Sequence, residues 1–478
     1  MFALFFGKET LAKGEEKEPA EQPEALSEPA GDFLFEDGDI VGFIGDSITQ
    51  VNYSAVSYPE FLYQYYRTRY PQWDLEFRNL GTGYYTAEHA LALYNGESGI
   101  YDAALEGITK AVIMFGMNEA LDGGDPERYI QNIRALTELL NMQGVKNEAI
   151  ILTAPTPFDQ TRSSNYLENG EMRKTVDNSL LEYTKRLKAL ADELGTRYID
   201  LHTPMLWATE LLQEKDGDAT WTVDDSIHPG AEGSILAGFF FLHQQGAGRD
   251  VAEVSLSKGT KAQTVNAEVT KVKWRGGKDY VSYSYQPHSL PLAVTEEVTR
   301  ADAYFGMLDW LSRENLQIEG LNEKEVYTVY MNDVPIGNYL GKEFDQGINL
   351  AGCRWNFGQV AAKDIEVLNQ KWQECSAKYR SVLGNATLGE RTATQEDVDA
   401  AYEIWKEETG QLQGQMEEIA ASSAARTYRM EIVSQKSGQI WMRLERWKWA
   451  LGAVVLGSLL ILAGITLRIR KRRKQKQI

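Results

Sequence analysis

The first half of the chain predicts an α/β fold, a parallel sheet with helices on both faces. Three observations predict it: short β-rich runs recur, amphipathic helical stretches lie between them, and the first three runs lead into glycine-bearing turns. The runs fall at 40–44, 75–80, 110–115, 149–153 and 197–201. The helical patterns fall at 59–69, 127–143 and 176–194, with another at 232–243. A sheet of this kind carries its functional loops at the carboxyl ends of its strands, so those turns are where chemistry is sought.

Beyond residue 250 the character changes. Runs at 266–274, 279–285 and 325–331, the last followed by the turn-prone Asn332-Asp333, predict a small β-rich domain over 251–352 with a helix near 302–312. Helical spacing with many charges returns at 359–383 and 395–424. Residues 353–436 are therefore expected to form a helical hairpin between the β-rich unit and a membrane segment. Residues 1–31, rich in Glu, Pro, Ala and Lys without hydrophobic periodicity, read as an acidic disordered tether ahead of the α/β domain at 32–250.

Composition excludes some functions. The chain has 478 residues, 43% of them hydrophobic, enough for several domains with a large core. Its 69 acidic against 49 basic side chains give a net charge of −20, which argues against a nucleic-acid partner, since phosphate binding needs clustered Lys and Arg. Two cysteines, Cys353 and Cys375, are too few for a disulfide-framed fold; they are either one bridge or two buried thiols. Residues 449–467 carry no charged side chain and lie between Arg446 and Lys448 on one side and Arg468, Arg470 and Lys471 on the other. That is the length and flanking of one transmembrane helix, and a buried core helix is the poorer reading. Seven bases and no acid in 468–478 put this basic tail in the cytoplasm and the body outside the cell membrane. Export normally needs an amino-terminal signal, and residues 1–6 (MFALFF) are short for one and lack a basic flank. The start is then truncated or misassigned, or export takes another route.

Four short signals sit at the expected strand ends or helix starts. The first run leads into Gly45-Asp46-Ser47-Ile48-Thr49, which places a serine hydroxyl where a strand turns into the next element; alone, it could be a capped turn. The second leads into Asn79-Leu80-Gly81-Thr82-Gly83, whose glycines permit close backbone approach to a ligand. The third ends in Gly116-Met117-Asn118-Glu119, which offers a side-chain amide or merely ties down a loop. The decisive piece is Asp225-Ser226-Ile227-His228-Pro229. A carboxylate three residues before an imidazole can orient it within one turn, and an oriented histidine is the base a serine nucleophile needs. A dinucleotide fingerprint fits poorly, because its third glycine would be Thr86. The aromatic run from Tyr58 to Tyr66 either lines a cleft or packs in the core, and core packing is the better reading. His89, His202, His243 and His288 show no zinc-like spacing and read as packing or surface groups.

Together, in this order, the four signals resemble the SGNH hydrolase superfamily, also called GDSL esterases and lipases, over about residues 35–246. The resemblance implies a flavodoxin-like three-layer α/β/α sandwich, with Ser47 as nucleophile, His228 as general base and Asp225 orienting His228. It implies an oxyanion hole from the Ser47 N–H, a second-block glycine N–H (Gly83, with Gly81 as alternative) and the Asn118 side chain, and neither metal nor cofactor. Two positions depart from the family pattern: Tyr84 stands where a glycine is usual, and Glu119 replaces an aspartate. The expected function is a membrane-anchored serine esterase acting on O-acyl, above all O-acetyl, groups of carbohydrates. Lipid esters or thioesters are the alternative substrates, and a non-catalytic glycan-binding or scaffold protein is the alternative class.

Overall fold

The structure is a computed structural model that describes residues 31–50, 56–159 and 170–447, without side chains for 170–175. The expected tether (all but Gly31), the expected transmembrane helix at 449–467 and the basic tail lie outside the described residues. Among the described residues no helix is long and apolar enough to cross a membrane.

Five parallel strands form the first sheet: β1 (Ile40–Gly45), β2 (Glu76–Gly81), β3 (Lys110–Met114), β4 (Ile150–Thr153) and β5 (Arg197–Ile199), in the order β2-β1-β3-β4-β5. The order reverses at β1, whose carboxyl end is therefore a switch point where a crevice opens. Right-handed crossovers place helix Tyr58–Arg69 on one face, and helices Ala87–Tyr94, Pro126–Met142 and Gly170–Leu194 on the other. Helix Ala231–Gln245 returns to the first face and packs on Tyr58–Arg69.

All twelve residues of Tyr58–Arg69 are buried, polar ones included. A helix hydrophobic on one stripe would leave its outer side wet, so something must cover that side. The cover is the second half of the chain. Tyr63 packs on Trp372 with ring centroids 5.1 Å apart, and Asn369 donates to the Glu60 carbonyl at 2.8 Å. The aromatic run is thus core, as its spacing suggested.

The second half adds a four-stranded sheet from β6 (Asp250–Leu256), β7 (Gln263–Val265), β10 (Arg313–Ile318) and β13 (Ile348–Asn349). Beside it lies a five-stranded antiparallel sheet from β8 (Ala267–Arg275), β9 (Tyr280–Pro287), β11 (Val326–Met331), β12 (Val334–Leu340) and β14 (Tyr428–Ser434). Their inner faces share one core around Val254, Leu316, Val281, Val329 and Ile432. Helices Phe357–Thr387 and Gln395–Ala424 form the hairpin. The hairpin ends earlier than expected: β14 lies inside the expected 353–436 segment and fills the place between β11 and β9. Its charges, Arg429 and Glu431, continue the polar pattern of the preceding helix and mask the apolar Met430, Ile432 and Val433. The hairpin packs along the first unit instead of standing apart from it, because Trp372, Tyr379 and Leu383 bury against that unit's core. Cys353 and Cys375 are both free thiols, partly exposed.

Candidate active site

β1 ends at Gly45, where a side chain would not fit: a Cβ there would lie 2.2 Å from Thr49 Oγ1 and 2.8 Å from the Met114 carbonyl oxygen. The chain then turns into the short helix Ser47–Gln50, which puts Ser47 in its first turn at the switch point. Asp46 pins the turn by accepting the Ile48 N–H at 2.9 Å. Burial pushes the Asp46 carboxyl up to about 6, against the pull of that hydrogen bond and of His228. Gly81, at the end of β2, is held as closely; its Cβ would meet the Gln50 nitrogen at 2.4 Å.

The histidine comes from a tight loop. Gly230 N–H donates to the Trp221 carbonyl at 2.7 Å and Val223 N–H to that of His228 at 2.8 Å, closing the loop across its neck. Ser226 takes a left-handed φ of 67° at its tip, which turns the chain back so that Asp225 Oδ1 accepts both the Ile227 N–H (2.8 Å) and the His228 N–H (2.9 Å). Asp225 Oδ2 lies 2.5 Å from His228 Nδ1, and His228 Nε2 lies 2.7 Å from Ser47 Oγ. Burial works to raise the Asp225 carboxyl, yet the hydrogen bonds from the His228 ring and backbone outweigh it and hold it below the usual carboxylate range. Ser47, His228 and Asp225, 178 to 181 residues apart along the chain between serine and the other two, therefore form one hydrogen-bonded chain.

The oxyanion donors fall out differently from expectation. Gly83 N–H donates to Gln50 Oε1 at 2.7 Å and Gly81 N–H to Asn79 Oδ1 at 3.0 Å, so neither glycine amide is open. Tyr84 N–H has no hydrogen-bond partner among the described residues, and Tyr84 adopts φ 64°, the left-handed conformation that suits glycine. The departure from the family pattern is thus in the side chain only, and that side chain stands 68% exposed at the site. Asn118 donates one amide hydrogen to the Tyr85 carbonyl at 2.8 Å, which fixes the amide and leaves its second N–H available. Sequence reasoning missed Tyr84 because a bulky residue gives no signal of positive φ.

Glu119 holds this loop from beneath. Its Oε1 accepts the Ala87 N–H at 2.7 Å, while Oε2 is buried without a partner. Burial pushes the carboxyl up to about 7, so the native state keeps its proton where an unfolded glutamate would release it. The stability contributed by the neutral form is complete below about 4.5 and is lost as pH rises through about 7. Glu119→Gln keeps the acceptor and removes the titration. It should make the protein more stable than wild type at pH 8, by an amount on the order of 2–3 kcal/mol, and indistinguishable at pH 4.5. Thermal melts of both proteins at the two pH values check this.

Of the other histidines, His202 is buried with its Nε2 3.6 Å from Asp177 Oδ1. His89 caps its own helix against Thr86, and His243 meets Trp310 edge to face with centroids 4.9 Å apart. A cavity of about 330 Å³ borders the histidine loop, lined by Thr156, Phe158, Met205, Trp221, Thr222 and Pro229. A larger groove of about 860 Å³, between Tyr94, Tyr101, Gln143 and Gln395, contains none of these site residues.

Comparison with known proteins fits this geometry. Residues 43–234 match the GDSL-like lipase/acylhydrolase family, a span that holds Ser47, Asn118, Asp225 and His228. A gut microbial diltiazem-metabolizing enzyme superposes with a TM-score of 0.71 at 20% identity, covering 85% of this chain and 99% of its own, so the whole two-unit architecture is shared. A catalytic mutant of an acetylxylan esterase from Geobacillus stearothermophilus aligns at 20% identity and TM-score 0.34, over 44% of this chain and 96% of its own. No curated protein matches the sequence. The family match over residues 43–234, which span the hydrogen-bonded serine, histidine and aspartate at the switch point, makes this protein a hydrolase acting on ester bonds, similar over that segment to the GDSL-like lipases and acylhydrolases.

Proposed function

We propose that the protein removes small acyl groups, above all O-acetyl, from carbohydrates through an acyl-enzyme. The observation that carries the mechanism is the chain Ser47 Oγ, His228 Nε2, His228 Nδ1, Asp225 Oδ2, at 2.7 Å and 2.5 Å. Ser47 Oγ attacks the ester carbonyl carbon while His228 Nε2 takes its proton; the proton then passes to the leaving alkoxide, and the acyl group stays on Ser47. A water attacks the acyl-enzyme with His228 again as base, and the proton returned from His228 frees Ser47. The negative oxygen formed in both halves is held by the Ser47 N–H, the Tyr84 N–H and the second Asn118 N–H. No step in this sequence needs a metal or cofactor.

What supports a sugar-sized alcohol is the 330 Å³ cavity that borders the histidine loop at Pro229 and joins an aromatic ring (Trp221) to the hydroxyls of Thr156 and Thr222. Anchoring by residues 449–467, with the body outside the cytoplasm, is part of the same proposal and rests on the charge pattern of the tail. A panel of p-nitrophenyl esters from acetate to palmitate, run beside acetylated xylan, tests the substrate class. Acetate should turn over fastest and xylan should release acetate. Palmitate or a thioester turning over fastest would replace this reading with the lipid or thioester one.

A further inference from the structure

The site's upper loop is held by a side chain from outside the matched segment. Thr82 opens the turn that presents Tyr84 N–H: its carbonyl accepts the Tyr85 N–H at 3.2 Å, and its own N–H donates to the Gly45 carbonyl at 2.9 Å, two residues before Ser47. Its hydroxyl is gripped by Arg380 of the hairpin helix Phe357–Thr387, whose Nε and Nη2 donate to Thr82 Oγ1 at 3.0 and 2.8 Å. The third arm of the guanidinium, Nη1, pairs with Asp102, which also accepts the Tyr379 hydroxyl at 2.6 Å. Arg380 and Asp102 are both essentially shut off from solvent, with side chains 1% and 0% exposed.

Neighbouring residues on the same helix face act in the same direction. Gln373 Nε2 donates to the Gln50 carbonyl at 2.6 Å, and Gln50 Nε2 donates to the Ala377 carbonyl at 3.2 Å, while Gln50 Oε1 takes the Gly83 N–H. Residues 373, 377 and 380 recur at helical spacing, so one stripe of the helix is spent on the two backbone segments that carry the Ser47 and Tyr84 amides. A buried arginine committed to a threonine hydroxyl is costly as mere adhesion, since an apolar pair of the same volume would seal the interface as well or better. A planar fork with two donors on one oxygen does what an apolar pair does not, which is to fix position and angle.

We infer that Arg380 is a positioning residue for ester hydrolysis: through Thr82 it sets the oxyanion loop, so the helical hairpin is part of the active site. The inference rests on the serine-hydrolase reading above and adds a residue to it. Transition-state donors misplaced by about 1 Å cost on the order of 100-fold, whereas ground-state binding of a small ester hardly notices.

The test uses the full chain with Thr82→Val, Arg380→Lys and Arg380→Ala, and Ser47→Ala as control. Turnover of p-nitrophenyl acetate is expressed per active site titrated, and the rate of fluorophosphonate labelling is read in parallel, since labelling also develops charge on an oxygen in the hole. Thr82→Val should lower kcat and the labelling rate by about 10- to 100-fold with KM within about twofold. Arg380→Lys should fall between wild type and Arg380→Ala, and added guanidinium should restore part of the Arg380→Ala loss. A merely structural contact would instead lower the fraction of active molecules and leave kcat per active site intact. That result in Thr82→Val, which keeps the volume of threonine and remains informative if the arginine variants do not fold, overturns the inference. Undiminished labelling in Ser47→Ala would instead overturn the nucleophile assignment.

Discussion

Ser47→Ala is expected to lower kcat by about 10⁴- to 10⁶-fold, because His228 and the oxyanion donors assist only a bond that Ser47 has attacked. The loss should come without unfolding. The Ser47 hydroxyl has His228 Nε2 as its hydrogen-bond partner, and one such bond is worth about 1 kcal/mol, or about 2–4 °C in Tm for a domain of this size. Fluorophosphonate labelling should cease in the same variant. Ester hydrolysis within tenfold of wild type would remove serine catalysis from the mechanism, whatever the fate of the fold.

Asp225→Asn should cost nearly as much, about 10⁴-fold in kcat, and the local hydrogen bonds say why. Asp225 Oδ1 is committed to the Ile227 and His228 N–H groups, so an asparagine must keep its oxygen there and turn its amide nitrogen toward His228 Nδ1. Nδ1 then has to accept, which moves the ring proton to Nε2, the atom facing Ser47 Oγ. A ring that already holds a proton at Nε2 cannot take the one from serine. The backbone bonds survive, so Tm should change little. Steady-state kinetics beside a melt distinguishes this from Asp225→Ala, which also frees the two backbone donors and should lower Tm as well.

How much of this was legible beforehand depended on whether the signal was local. The five strands and four of the flanking helices were readable because hydrophobic periodicity and strand-end turns lie within single short windows, whereas the eight-residue helix Ala87–Tyr94 was not read. Ser47, Asp225 and His228 were readable for the same reason, since Asp225 and His228 meet inside one turn. Tyr84 was not, because its role belongs to its backbone amide and its φ, neither of which residue identity reveals. Arg380 was not legible at all: a single base among the charges of an amphipathic helix looks solvated, and its partner Thr82 lies 298 residues away. β14 was lost for a third reason, that a seven-residue strand following a thirty-residue charged helix has too few alternations to break the helical pattern.

That strand also sets an order on how the protein can be made. β14 is an interior strand, so until residue 434 has left the ribosome β9 and β11 remain open edges with unpaired backbone groups. The nascent chain must hold such edges through the synthesis of the entire hairpin, an interval in which β-rich intermediates are prone to pair with other chains. Completing the sheet then needs contacts between residues separated by about a hundred and fifty positions, the kind of closure that folds slowly. Translation stopped anywhere between 388 and 427 would yield a chain whose hydrolase strands are all present and whose β-sheet is split in two, a species to be expected in aggregates and absent from the active pool.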